Sequence, residues 1–280
     1  MRLLTFMARR FVAGDTVEEA IAAIRRLNAE GIKATLDNLG EECQSRGQAL
    51  AARDEYVKML NRIAENKLDC NVSLKLTQFG LGLDPIFCRD NLVRVLEEAK
   101  KLDNFVRIDM EGSAYTQKTL DLFYDLRKSY PKTGIVIQAM LRRSEGDVAD
   151  LVSRGCCVRL CKGAYKEPAD IAFPDKRDVN ANYDKLSEML LKAPNPAFAT
   201  HDDERIAHAV AAALKAGLTK DKYEIQMLYG LRVRRWHELA AQGHTVRIYT
   251  PYGTHWFPYF YRRIRERKEN LLFVLRNFLE

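Results

Sequence analysis

The segment DTVEEAIAAIRRLNAEG, residues 15–31, places Ile21, Ile24 and Leu27 on one face of a helix. Thr16 followed by Glu19 has the form of a capping box at its start, and Gly31 predicts a left-handed stop at its end. A short apolar run follows, and the same unit then recurs. LVSRG precedes CCVRLCKG, LKAGLTKDK precedes YEIQML, and AAQGH precedes TVRIYTP. The β-branched or apolar runs are KATLD (33–37), NVSLKL (71–76), FVRIDM (105–110), GIVIQAM (134–140), CVRLC (157–161), AFATH (197–201), YEIQM (223–227) and VRIYT (246–250). Eight runs alternate with helical segments, and a last helix is expected from about residue 256. Alternating strands and helices predict a parallel sheet, and eight units in roughly 250 residues predict an α/β fold of the (βα)8 TIM-barrel type. An open doubly wound sheet is the alternative. The glycine-rich turn it usually carries after its first strand is missing, as is a GxxxxGK phosphate loop. No low-complexity linker interrupts the pattern, so a single catalytic domain over 1–280 is expected, with a short N-terminal extension at about 1–15 and the final helix lying over the mouth of the barrel.

Composition narrows this little. The chain has 280 residues, 47% of them hydrophobic, and a formal charge of +7, which permits an anionic partner without naming one. Six cysteines occur, none in a CxxC pair, so they read as small packing residues in a reducing compartment rather than as zinc ligands. The amino end, MRLLTFMARRFVAG, is too short and too arginine-rich for a secretory signal, and no apolar run approaches the ~20 residues of a spanning helix.

Barrel enzymes carry their chemistry at the C-terminal ends of the strands. The polar residues there are Asp37, Lys75, Asp109 with Glu111, Gln138, Arg159 then Lys162, His201, Gln226 and Tyr249. Strand ends meet water and carry polar residues anyway, but a charge at nearly every strand end points to a dense polar site. Lys75 lies between Leu74 and Leu76, so alternation turns it into the barrel, where it could form a Schiff base or hold an anion, with Asp109 as its expected counter-charge. His201, Asp109 and Glu111 could suggest a metal, but they are scattered singly among lysines and arginines that repel cations, so no metal is expected. In PYFYRRIRERKEN, Tyr259, Arg262, Arg263 and Glu266 fall on one helical stripe beside the barrel mouth, where paired arginines can grip a carboxylate. A nucleic-acid role is suggested by charge alone, and the aromatics are not arranged as stacking platforms.

Taken in order, SLKLTQFG, RIDMEGS, VIQAM, VRLCKGAY, FATHD, RIYTPYGTH and YFYRRIRE resemble the proline dehydrogenase family over roughly residues 7 to 278. The combination of RLxKGAY with YxxRRxxE carries most of the specificity. Lys166 after Tyr165, where the bifunctional enzymes have an aromatic, suggests the monofunctional bacterial branch. The resemblance implies FAD-dependent oxidation of L-proline to Δ1-pyrroline-5-carboxylate. It further implies a quinone as electron acceptor, a downstream pyrroline-5-carboxylate dehydrogenase, and a cytoplasmic location with peripheral contact at the inner face of a bacterial membrane. Carried over by residue, it implies catalytic charges at Asp109 and Arg159, the latter also facing the flavin. Substrate would be bound by Lys75, Tyr165, Tyr249, Arg262 and Arg263. Cofactor contacts are implied for Met110, Gln138, Lys162, Gly163, Ala164, Thr200, His201, Gln226 and Glu266. The rival reading of the same barrel is a Schiff-base aldolase or lyase using Lys75. The loop KEPADIAFPDKRD, 166–178, reads equally as a cofactor lid or as surface.

Overall fold

The structure, a computed structural model, describes residues 11–256. Thr16 and Glu19 form the expected reciprocal cap on helix α1 (Val17–Ala29), whose Ile21, Ile24 and Leu27 are buried. Gly31 lies at φ +73° just past its end, and the amide of Ile32 returns to the carbonyl of Leu27 at 2.9 Å, closing the helix as a left-handed glycine cap does. Strand β1 (Lys33–Asn38) follows. The chain then alternates through α2 (Arg46–Glu65), β2 (Cys70–Leu74), a 3-10 turn at Leu76–Phe79, α3 (Pro85–Lys101), β3 (Val106–Ile108), α4 (Ser113–Ser129) and β4 (Thr133–Gln138). It continues through α5 (Ser144–Ser153), β5 (Val158–Cys161), α6 (Lys176–Leu190), β6 (Ala197–Ala199), α7 (Asp203–Lys215), β7 (Glu224–Leu228), α8 (Val233–Ala241) and β8 (Thr245–Tyr252). All strands are parallel, and β8 pairs back onto β1 from Lys33 opposite Arg247 to Asn38 opposite Tyr252, closing an eight-stranded barrel. The fold expected from the alternation is the fold observed.

Alternation along the strands divides the interior in two. Outward residues such as Leu36, Leu74, Ile108, Ile137, Leu160, Ile225 and Ile248 are buried against the helices. Inward positions, set by the register Ser73–Arg107–Gly134 and Gln226–Arg247, are mostly polar or charged, with Gly134, Val136 and Ala197 among them. Gly134 makes room in this bore, because a Cβ there would lie 2.5 Å from Arg107 Nη1 and 2.8 Å from the Cys157 carbonyl. Ahead of α1 the chain lies along β8, with the Ala13 amide donating to the Pro251 carbonyl at 2.8 Å.

Several strands are shorter than the sequence suggests. Strand β2 stops at Leu74, so Lys75 is the extended residue that opens the 3-10 turn rather than a strand residue. Strand β3 stops at Ile108 and β6 at Ala199, which leaves Asp109, Met110, Thr200 and His201 on the connections at the C-terminal rim. The segment after β5 is held in place by Phe173 N donating to Met140 O at 2.8 Å, Arg142 N to Ile171 O at 2.9 Å, and Arg142 stacked on Phe173 at 4.8 Å. Each cysteine is a free thiol, and those at 70, 88 and 156 are buried. Burial pushes the Cys70 thiol up to about 12, in line with a packing role.

Candidate active site

The centre of the C-terminal rim is a closed polar network. Asp109 accepts from Ser73 Oγ at 2.6 Å and Arg159 Nη1 at 2.9 Å on one oxygen, and from the Tyr249 hydroxyl at 2.9 Å on the other. Lys75 Nζ donates to Asp37 at 2.9 Å and to the Tyr249 hydroxyl at 3.2 Å, and lies 3.9 Å from Asp109. Its nearest counter-charge is therefore Asp37, not the expected Asp109. Both carboxylates sit one residue past or inside a strand end, but the geometry of β1 brings Asp37 closer. Tyr249 is shared between the two cations, with Arg159 5.5 Å and Lys75 5.9 Å from its ring centre.

The charges set their own protonation. Burial alone would lower the Lys75 pKa, but the charges of Asp37 and Asp109 outweigh it and hold the ammonium protonated. Burial pushes the carboxyl of Asp37 up, against the pull of Lys75. A Schiff-base lysine must attack as the free amine. This ion-paired ammonium is the opposite case, which counts against the aldolase reading.

Beneath the rim a second layer supports the first. Arg159 Nε donates to Gln226 Oε1 at 2.6 Å, and Gln226 Nε2 donates to Glu224 at 2.7 Å. Arg247 holds Glu224 in a two-pronged pair at 2.9 and 2.8 Å. Burial alone would raise the Glu224 carboxyl, but the charge and hydrogen bonds of Arg247 hold it down at about 2. Arg107 donates to the Cys157 carbonyl at 2.8 Å, and burial with the repulsion of Arg159 lowers its pKa to about 9.

The remaining expected residues line the rim around this centre. Gln138 donates to the Glu111 carbonyl at 2.9 Å and accepts from Ala164 N at 3.4 Å. Met110 is buried beside Asp109. Lys162 Nζ lies between Asn180, at 2.6 Å, and Asp202, at 2.5 Å. Gly163 adopts φ +116°, and a Cβ there would meet Met140 Sδ at 2.4 Å, so only glycine fits the close passage of this loop. Tyr165 packs against Met140, Leu141 and Ala172. Thr200 N donates to Gln226 O at 3.1 Å, and His201 Nε2 accepts from Leu228 N at 2.9 Å, which assigns the ring proton to Nδ1. Arg262, Arg263 and Glu266 lie outside the described residues.

Two features of Arg159 and Gly163 fit a flat cofactor that carries hydrogen-bond acceptors. Arg159 Nη2 is buried with no hydrogen-bond partner among the described residues, a donor that calls for an acceptor. The 162–164 segment offers main chain at close approach beside a lysine. Ser73 and Glu224 were not in the expected set, and Asp37 was expected at the rim without a role. Ser73 and Glu224 stand two residues before Lys75 and Gln226, so the period of the strand could have found them.

The proline dehydrogenase family model matches residues 20–276. The chain belongs to the proline dehydrogenase family. It is 42% identical over 274 residues to "Proline dehydrogenase 1" of Bacillus subtilis, covering 98% of this chain and 91% of that one. It is 39% identical over 280 residues to "Proline dehydrogenase" of Deinococcus radiodurans, covering 98% and 90%. Among solved structures it resembles proline utilization A from Bdellovibrio bacteriovorus inactivated by N-propargylglycine, with TM-score 0.87 and 27% identity, over 93% of this chain and 32% of that larger one. Proline dehydrogenases are flavoenzymes, and this chain is an oxidoreductase of proline catabolism. Among the described residues no helix is long and apolar enough to cross a membrane.

Proposed function

We propose that the protein binds FAD and oxidises L-proline to Δ1-pyrroline-5-carboxylate at the rim of the barrel, passing the electrons to a membrane quinone through peripheral contact. The observation that carries this is the Lys75–Tyr249–Asp109–Arg159 network, which ends in a buried guanidinium nitrogen that has no partner among the described residues. FAD, when bound, would supply a two-electron acceptor for hydride from C5, the oxidation being balanced by formation of the C5–N double bond and release of the nitrogen's proton to water. Arg159, Gln138, Met110, the 162–164 segment, Thr200, His201 and Gln226 would hold it, with Glu266 assigned by its motif.

The chain's own residues do the rest. Lys75 and Arg159 are already balanced by Asp37 and Asp109. A substrate carboxylate therefore needs further positive charge, and Arg262 and Arg263 are the residues assigned to supply it. Lys75 completes that clamp through its third hydrogen. Fixing the carboxylate sets the ring in one orientation and lowers the entropic cost of reaction. Tyr249, with its hydroxyl tied to Asp109 and Lys75, presents a rigid ring edge to the substrate, and Tyr165 closes the other side. The surrounding cations lower the pKa of the substrate ammonium, which must lose a proton before C5 can be oxidised.

The test is product identification. With FAD, a soluble quinone and L-proline, the enzyme is expected to form a cyclic imine that o-aminobenzaldehyde traps. A colourless protein that borohydride links to a keto-substrate would support the aldolase instead. Arg262→Met and Arg263→Met are expected to raise the proline KM by about 100-fold or more with flavin still bound, the effect of losing a bidentate charge pair. A KM equal to wild type in either variant would remove that residue from the clamp.

A further inference from the structure

Glu111 stands on the connection between β3 and α4 and is only 3% exposed. Its two carboxylate oxygens face a single residue. Thr77 N donates to Oε2 at 3.0 Å, and the Thr77 hydroxyl donates to Oε1. The same hydroxyl oxygen accepts from Glu42 N at 3.0 Å, and the Thr77 carbonyl accepts from Cys43 N at 3.2 Å. Because Oγ1 is already an acceptor from a main-chain amide, its hydrogen turns to Glu111. The main-chain carbonyl of Glu111 meanwhile accepts from Gln138 at 2.9 Å. One buried residue thus ties together the turn that begins at Lys75, the loop between β1 and α2, and β4.

We propose that Glu111 is a positioning residue of the proline site, which as a carboxylate holds the Lys75 turn and the 39–44 loop in place through Thr77. An ionised carboxylate only accepts, and Thr77 presents it with two donors. A protonated carboxyl would set a donor against them, so the bond to the Thr77 hydroxyl would reverse, leave the threonine hydrogen without this acceptor, and lose the charge that strengthens both contacts. No cation pairs with Glu111 among the described residues, and the titratable groups facing it are Lys75, Glu41 and Cys88. Burial raises its carboxyl to about 7, against the opposing pull of the Thr77 bonds and Lys75.

Two pH trends of opposite sign follow. The folded state holds the Glu111 proton more tightly than the unfolded chain, whose carboxyl titrates near 4.5. Its contribution to stability is present below that value and is lost as pH rises through about 7. Order at the Lys75 turn improves over the same climb, because it needs the ionised form. A glutamate kept for packing alone would show only the first trend.

The inference rests on the placement of Lys75 in the substrate clamp, so the test includes a reading that does not involve proline. In the FAD-bound enzyme, the wild-type proline KM is expected to fall between about pH 6 and about pH 8 as Glu111 ionises. Glu111→Gln is expected to flatten that fall and to raise KM at about pH 8 by about tenfold, the loss of one charge-assisted hydrogen bond, with kcat little changed. Its thermal midpoint at that pH is expected to exceed that of wild type. Thr77→Val is expected to raise KM in the same direction. Independently, amides in 39–44 and 76–80 are expected to exchange with deuterium about tenfold faster in Glu111→Gln, at one fixed pH and without substrate. Unchanged exchange would overturn the proposal, as would a wild-type pH profile in the variant, or a lowered thermal midpoint with kcat and flavin content falling together. If wild type fails to oxidise proline while the exchange result holds, the proposed function fails and the Glu111 clamp stands.

Discussion

The two faces of the same eight strands do different work. Outside the sheet, Leu36, Val72, Leu74, Val158, Leu160 and Ile248 are fully buried against helices. Inside it, one position along, stand Asp37, Ser73, Arg107, Arg159 and Arg247, also buried but charged or polar, with the half-buried Glu224 beside them. Apolar burial stabilises a fold, at ~25 cal/mol per Å². Buried ion pairs often contribute little or nothing net, because desolvation offsets their attraction. A bore filled with them is poorly explained by stability. It is well explained by a need for fixed charges at the rim, where Asp109 pairs with Arg159 and the second layer of Gln226, Glu224 and Arg247 keeps Arg159 aimed.

This contrast can be broken at four points. The largest effect is expected from the bore at the rim. Asp109→Ala should slow flavin reduction by L-proline by about 10²- to 10³-fold, measured by anaerobic stopped flow. An unchanged rate would take Asp109 out of the active site. Next, Leu36→Ala on the outer face should cost about 2–5 kcal/mol in a urea melt while leaving the proline KM near wild type. A changed KM with unchanged stability would erase the division between the faces. Third, Glu224 is held near 2 by Arg247, so its contribution to stability is present above the ordinary carboxylate value and is lost as pH falls from about 4.5 toward about 2. Glu224→Gln should remove that segment of the acid-unfolding curve. The smallest effect is expected on the surface, where Arg234 pairs with Glu238 at 3.0 Å in water. Arg234→Ala should change stability by no more than about 0.5 kcal/mol.

Much of this contrast was legible beforehand, and the reason is periodicity. The helix faces, the glycine stop at Gly31, the eight alternating runs and the inward aim of Lys75 all follow from local repeats that tertiary packing then confirmed. What stayed hidden depends on distances between strands remote in sequence. Asp37 precedes Lys75 by 38 residues and could be recognised as its partner only once β1 and β2 were paired. Thr77 offered no signal as a hub, since a threonine after SLKL is unremarkable until the 3-10 turn points its amide at Glu111. The anchoring of the segment after β5 was equally invisible, because its bonds run to the main chain of 140–142. Arg262, Arg263 and Glu266, which lie outside the described residues, rest on their YxxRRxxE motif and on the charge balance of the rim.

The central claim is that the rim of this barrel presents proline to a flavin. It is tested most directly by the absorption spectrum of the FAD-saturated protein, recorded anaerobically before and after L-proline. Loss of the flavin band near its visible maximum, with the same loss slowed in Asp109→Ala, is the result expected. A flavin-loaded protein whose spectrum stays oxidised in excess L-proline would contradict it.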